Sequence, residues 1–190
     1  MLVPRPNVTA VLLAAGRGTR FGGNKLEAML GDRMLGLYAA HTLSELGCGQ
    51  LFAVHDPAHA ALATALNAEG FTLIDNHDAD KGLSHSLVLA ANAAVTTNAD
   101  AMLVCLADMP YVTVDHLHAL ISAGGDHAVT SAVGNARMPP ALFPRALWPI
   151  LTALTGEEGA RPLLRDATII QGTPEMLADI DTRADLNRSS

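Results

Sequence analysis

The chain has 190 residues, 49% hydrophobic and 16% charged, a globular composition long enough for one well-buried domain. Nineteen acidic against twelve basic residues give a formal net charge of −7, which argues against nucleic-acid or anionic-membrane partners, so any phosphate site has to be a local basic pocket. No apolar run approaches the roughly 20 residues that span a bilayer, and the two distant cysteines, Cys48 and Cys105, make no disulfide framework and fit a reducing cytoplasm.

At the N-terminal end, Arg5, an apolar run and Ala14-Ala15 loosely mimic a secretory signal. The run is short, however, and a cleaved signal leaves the glycines and basic residues behind it unexplained. The runs VTAVLLA (8–14), LFAV (51–54) and AMLVCLA (101–107), with the weaker FTLI (71–74), are short and near-continuous, the pattern of strands buried on both faces of a parallel sheet. Between them, Leu35, Tyr38, Ala39, Thr42, Leu43 and Leu46 keep helical spacing up to Gly47. An alanine-rich helix is expected over 58–69, one over 87–94 with Ser84 as N-cap, and one from Thr113 through Ile121. Beyond Gly125 the pattern is irregular: strands are expected at 127–133, 138–143 and 168–170, and a helix at 144–154 with a kink at Pro149. Strands alternating with helices over the first 125 residues predict an α/β fold, a three-layer α/β/α sandwich around a Rossmann-like, mostly parallel sheet. No repeat, low-complexity tract or linker interrupts it, so a single domain over 1–190 is expected.

The most informative stretch is LAAGRGTRFGGNK (13–25), with four glycines, two arginines and a lysine directly after the first strand. Glycines let the backbone come close to a ligand, and successive inward N–H groups make an anion nest. In open α/β sheets, ligands sit at the carboxyl ends of the strands, where this loop lies. It is not a P-loop, because Lys25 is followed by Leu26, and it misses the dinucleotide fingerprint by a residue. From the residues alone it is either a phosphate cradle or a solvated turn.

The loop resembles the signature L-A-A-G-x-G-x-R-x-G-x-x-K of MobA-like nucleotidyltransferases, the branch that includes the molybdenum cofactor cytidylyl- and guanylyltransferases. The matching residues are Leu13, Ala14, Ala15, Gly16, Gly18, Arg20, Gly22 and Lys25. DNHDADKGLSHSL (75–87), LADMP (106–110) and DIDTRADL (179–186) follow in the family's order, so the resemblance spans almost the whole chain. It implies a fold of the nucleotide-diphospho-sugar transferase type and Mg²⁺-dependent transfer of a nucleotide to a phosphorylated acceptor. It further implies that Leu13, Ala14, Ala15, Gly16, Arg17, Gly18 and Lys25 bind nucleotide, with Asn76, Gly82, Ser84 and Ser86 at base and ribose. Arg20, Lys25 and Asp108 take catalytic roles, and Asp108 and Asp181 hold the metal.

Read by position alone, Asp108 follows a buried strand, where it is either a metal ligand or a turn former before Met109-Pro110. Asp181 is either a second ligand or the cap of a short helix over TRADL. Within the family, LAAG accompanies cytidylyltransferases and LAGG guanylyltransferases, so Ala15 points to CTP, with GTP as the alternative. The family's frequent aromatic near position 79 is replaced by Ala79. The resemblance makes molybdopterin the expected acceptor and a recipient molybdoenzyme a possible partner, yet the Gly-His-Pro often found there is Met138-Pro139-Pro140 in this chain. Arg137 and Arg161 are candidates for an acceptor phosphate. Some proteins that resemble this family are NAD(P)H-dependent oxidoreductases, a second reading opposed by the lack of an acidic ribose-binding residue at the expected place. The eight histidines show no coherent metal spacing.

Overall fold

Residues 7–16, 18, 21–155 and 159–188 are described in a computed structural model of the chain. The first strand, β1 (Val8–Ala14), is buried along its whole length, as its unbroken apolar sequence requires. A small hairpin of β2 (Met29–Leu30) and β3 (Arg33–Met34) leads into α1 (Gly36–Glu45). Then come β4 (Gln50–His55), α2 (Ala60–Ala68), β5 (Thr72–Asp75), α3 (Leu83–Val95), β6 (Ala101–Leu106) and α4 (Val114–Ser122). The remainder holds β7 (Val129–Val133), β8 (Ala136–Pro144), α5 (Trp148–Thr152), β9 (Thr168–Gln171) and α6 (Arg183–Arg188).

Seven strands form one sheet in the order β5-β4-β1-β6-β8-β7-β9. Every pairing is parallel except the two made by β8, which runs against β6 and β7. The chain builds outward from β1 to β5, then crosses back to place β6 on the other side of β1. That reversal opens a crevice at the carboxyl ends of β1 and β6, where open α/β sheets bind ligands. Alternate residues of β1 face opposite layers: Val8, Ala10, Leu12 and Ala14 pack toward α1, α2 and α4, while Val11 and Leu13 pack toward α3 and α5. The expected three-layer sandwich is the observed one.

Local details follow from the sequence, with three corrections. Gly47 takes φ 65° just past α1 and ends it as expected. Thr113 caps α4, its Oγ1 accepting from the His116 amide. Ser84, by contrast, is not an N-cap: α3 starts at Leu83, with Ser84 inside its first turn. Pro149 makes no kink, because the segment after Pro144 is a 3-10 turn (Arg145–Leu147) followed by α5, whose first turn accommodates a proline. The strand expected at 138–143 begins earlier, at Ala136, and carries Pro139 and Pro140 in its interior. It tolerates them because the register with β7 jumps from Thr130↔Ala141 to Ser131↔Met138, leaving Pro139 and Pro140 out of the ladder. Cys105 is a core residue whose thiol is pushed up by burial. Among the described residues no helix is long and apolar enough to cross a membrane.

Candidate active site

The crevice holds a cleft of about 270 Å³ bordered by the glycine loop, the start of α3 and the end of β6. Leu13, Ala15, Gly16, Gly18, Lys25 and Asp108 line its β1/β6 end. Gly82, just before α3, and Ser86, within its first turns, line it beside Ala79. Ala14 is fully buried, its side chain in the core on the other face of β1. Arg17 and Arg20 lie outside the described residues.

Lys25 sits in a 3-10 turn, Lys25–Glu27, that the sequence did not announce. Glu27 pins this turn: one carboxylate oxygen accepts from the Leu62 amide at the start of α2, the other from the Asn24 side chain. Leu26 is buried beneath it. The Lys25 side chain is only 7% exposed, and its Nζ lies 2.8 Å from Asp108 Oδ2 and 2.8 Å from Asp181 Oδ1. Burial alone would lower the ammonium's pKa, but the charges and hydrogen bonds of Asp108 and Asp181 outweigh it and hold Lys25 above its ordinary value. Lys25 is therefore a cation at neutral pH.

Asp108 is placed by the turn after β6, where the Ala107 amide donates to the Leu13 carbonyl. Its own carbonyl accepts from the Ile180 amide at 2.9 Å, which draws the C-terminal segment across the crevice. That segment is fastened a second time, by the Arg183 guanidinium 5.1 Å from the centre of the buried Phe21 ring. The helix start is capped not by Asp181 but by a reciprocal pair: Asp185 accepts from the Thr182 amide, and Thr182 Oγ1 accepts from the Asp185 amide. Asp181 is thereby left to face Lys25. Asp108 Oδ1 is buried and has no hydrogen-bond partner among the described residues.

A third carboxylate joins this cluster. Burial, and then the negative charges of Asp181 and Asp108, hold Asp179 above its ordinary pKa. Its presence in DIDT was visible in the sequence, but nothing there distinguished it from a surface aspartate. Two carboxylates with a buried, unpaired oxygen form a donor set suited to a hard divalent cation that takes its other ligands from phosphate and water. Among the described residues no group of three or more His, Cys, Asp or Glu could hold a metal without such help.

The residues expected at base and ribose divide. Gly82 and Ser86 face the cleft. Asn76 is 1% exposed and stands behind Ser86, donating from Nδ2 to Ser86 Oγ at 3.0 Å. Ser84 is buried, its hydroxyl without a partner among the described residues. A second cavity, of about 380 Å³, shares Leu13, Leu83 and Leu106 with the first and has both Arg137 and Arg161 in its wall.

A glycine-rich loop, a buried lysine and paired carboxylates at the switch point of a mostly parallel sheet define a nucleotide-binding α/β protein. The chain belongs to a family of nucleotidyltransferases: residues 10–172 match the MobA-like NTP transferase domain. It is 32% identical to the purine catabolism protein PucB of Bacillus subtilis (strain 168) over 93% of both chains. It is 31% identical to nicotine blue oxidoreductase of Paenarthrobacter nicotinovorans over 84% of this chain and 82% of that one. The crystal structure of Rv0371c from Mycobacterium tuberculosis H37Rv has the same fold, with a TM-score of 0.84 at 23% identity over 97% of this chain and 98% of that one. A manganese complex of Rv0371c gives a TM-score of 0.77 at 23% identity over 96% and 97%.

Proposed function

We propose that the chain, as a single domain over 1–190, is a divalent-metal-dependent cytidylyltransferase. It would move CMP from CTP to a phosphorylated acceptor, with molybdopterin the acceptor its sequence resemblance favours. The observation that carries this reading is Lys25 held between Asp108 and Asp181 beside a glycine loop. In the reaction, an acceptor phosphate oxygen attacks the α-phosphorus of the nucleotide. The bond from that phosphorus to the oxygen bridging to the β-phosphate breaks, and pyrophosphate leaves. Such a displacement needs position and charge neutralisation more than a protein nucleophile.

Asp108 and Asp181 would hold Mg²⁺, which supplies Lewis-acid neutralisation of phosphate oxygens. Gly16 and Gly18 line the cleft where the triphosphate would lie, and Lys25, released from its carboxylates, would meet the charge developing at the α-phosphorus. Arg20 is assigned to the pyrophosphate side by its place in the loop sequence, and Arg17 to the nucleotide entrance. Ala15 at the β1 end supports a pyrimidine over a purine by size. The second cavity is the seat proposed for the acceptor: apolar walls for its ring system, Arg137 and Arg161 for its phosphate. GTP is the alternative nucleotide, and a recipient molybdoenzyme the expected destination.

Hydride transfer is the second reading, favoured by the name of one relative. Pyrophosphate release separates the two. Purified protein is incubated with Mg²⁺, molybdopterin and each of CTP, GTP and ATP. Release with CTP, reduced about 10²–10³-fold in Asp108→Ala, supports the cytidylyltransferase. Release with GTP alone moves the base assignment, and NAD(P)H oxidation without pyrophosphate overturns the transferase reading.

A further inference from the structure

Ser86 is the one uncharged polar side chain among the described residues lining the cleft, and the bonds behind it determine which way its hydroxyl points. The Asn76 amide is fixed on two sides: its backbone N–H donates to the His55 carbonyl at 2.8 Å, and its Oδ1 accepts from the Asp78 amide at 3.0 Å. Because Oδ1 is committed to an N–H donor, the opposite end of the side chain is the NH₂ group, and this donates to Ser86 Oγ at 3.0 Å. A lone pair of Ser86 is consumed on the buried side. Its own proton finds no acceptor among the described residues, although a helical serine often turns back to the carbonyl four residues earlier.

We propose that Asn76 is a positioning residue that sets the polarity of Ser86, making it a hydrogen-bond donor into the cleft and selecting a base that presents an acceptor there. This rests on the nucleotidyltransferase reading. The cleft is asymmetric in charge: Lys25 and Asp108 lie at the β1/β6 end, which suits phosphates and metal, whereas Ser86 is tied through Asn76 to the β4/β5 side. The base therefore lies on the Ser86 side. A pyrimidine ring offers carbonyl O2 there, and cytosine adds an unprotonated N3, so either acceptor can meet the Ser86 proton, while the choice between pyrimidine and purine still rests on size.

The test is a double-mutant cycle on Mg·CTP affinity, measured by titration calorimetry with Ser86→Ala, Asn76→Asp and the double variant. Asp at 76 would accept from Ser86 and draw its proton away from the cleft. Ser86→Ala is expected to weaken CTP about tenfold, the worth of one hydrogen bond. Asn76→Asp is expected to weaken it by at least as much in the parent and by little in the Ser86→Ala background. Equal losses from Asn76→Asp in both backgrounds would make Asn76 merely structural and overturn the inference. If Asn76→Asp does not fold, Ser86→Ala alone decides, since undiminished CTP binding in that variant overturns it. A parent protein that binds none of CTP, GTP or ATP removes the functional reading and this inference with it. A parent that binds, with an unaffected Ser86→Ala, removes this inference alone.

Discussion

Lys25 Nζ lies 2.8 Å from Asp108 Oδ2, a residue 83 positions along the chain, and occupies the place between two carboxylates that a divalent cation would take. On the proposed reading a metal would compete with the ammonium for these two carboxylates, and a bound triphosphate would give Lys25 other anions to meet. Metal is expected to bind weakly without nucleotide and well with it. Lys25→Met removes the competitor, so its affinity for Mn²⁺ alone, followed by electron paramagnetic resonance, should rise about tenfold. The same variant leaves two acidic groups facing each other. Since Asp181 is 42% exposed, the loss is set well below that for a fully buried pair, about 1–2 kcal/mol, and Mn²⁺ should restore the melting temperature. Unchanged Mn²⁺ affinity in Lys25→Met would refute the competition.

Gly18 supports the same lysine from the other side. Its φ is 56°, and a Cβ built there would lie 2.7 Å from Lys25 Cβ and 2.9 Å from the Gly23 carbonyl oxygen. Gly18→Ala has to pay roughly 1–2 kcal/mol for the left-handed backbone, and the contact with Lys25 adds to it. The expected outcome is a folded protein with nucleotide affinity about tenfold lower or worse, because the loop moves and carries Lys25 with it. Gly125→Ala is the control, since a Cβ there meets nothing within 4 Å and Gly125 does not line the cleft. Equal losses in both variants would show that the Gly18 geometry is not what matters.

What could be read in the sequence, and what could not, divides by distance along the chain. β1, β4 and β6 were legible because a strand buried on both faces has to be apolar without alternation. Asp108 was legible as a residue just past such a strand. The Lys25–Asp181 contact joins residues 156 apart, and no local pattern carries that information. β8 was only partly legible, since Pro139-Pro140 argues against an interior strand until the jump in register is known. The Thr182–Asp185 pair is the missed signal that was available, a T-x-x-D spacing at a helix start whose recognition would have released Asp181 for the site. Asn76 is expected at the nucleotide by resemblance, and the structure buries it and ties it to the cleft through Ser86.

The two cavities predict a separation of kinetic effects. Arg137 and Arg161 border only the second cavity, which is joined to the first through Leu13, Leu83 and Leu106. Arg137→Ala and Arg161→Ala should each raise the acceptor's KM about tenfold, as expected for a charge-assisted bond lost, while the KM for nucleotide stays within about twofold. Steady-state pyrophosphate release with each substrate varied in turn reads this directly. A rise confined to the nucleotide KM would exchange the assignments of the two cavities.

Stability should respond to acid through a residue remote from the cleft. His116 is buried on α4, its Nε2 2.8 Å from Ser131 Oγ, which in turn donates to the Pro140 carbonyl at 2.8 Å. Burial lowers the His116 pKa from its ordinary 6.5, so the fold favours the neutral ring. In the unfolded chain the same histidine takes up a proton more readily. Stability from this source is therefore fully present above pH 6.5 and is lost as pH falls from there through the lower folded value. His116→Gln keeps a polar partner near Ser131 without the titration. Its melting temperature should fall less steeply than the parent's as pH is lowered from neutrality, and parallel melting curves across that range would show that His116 is not the group responsible.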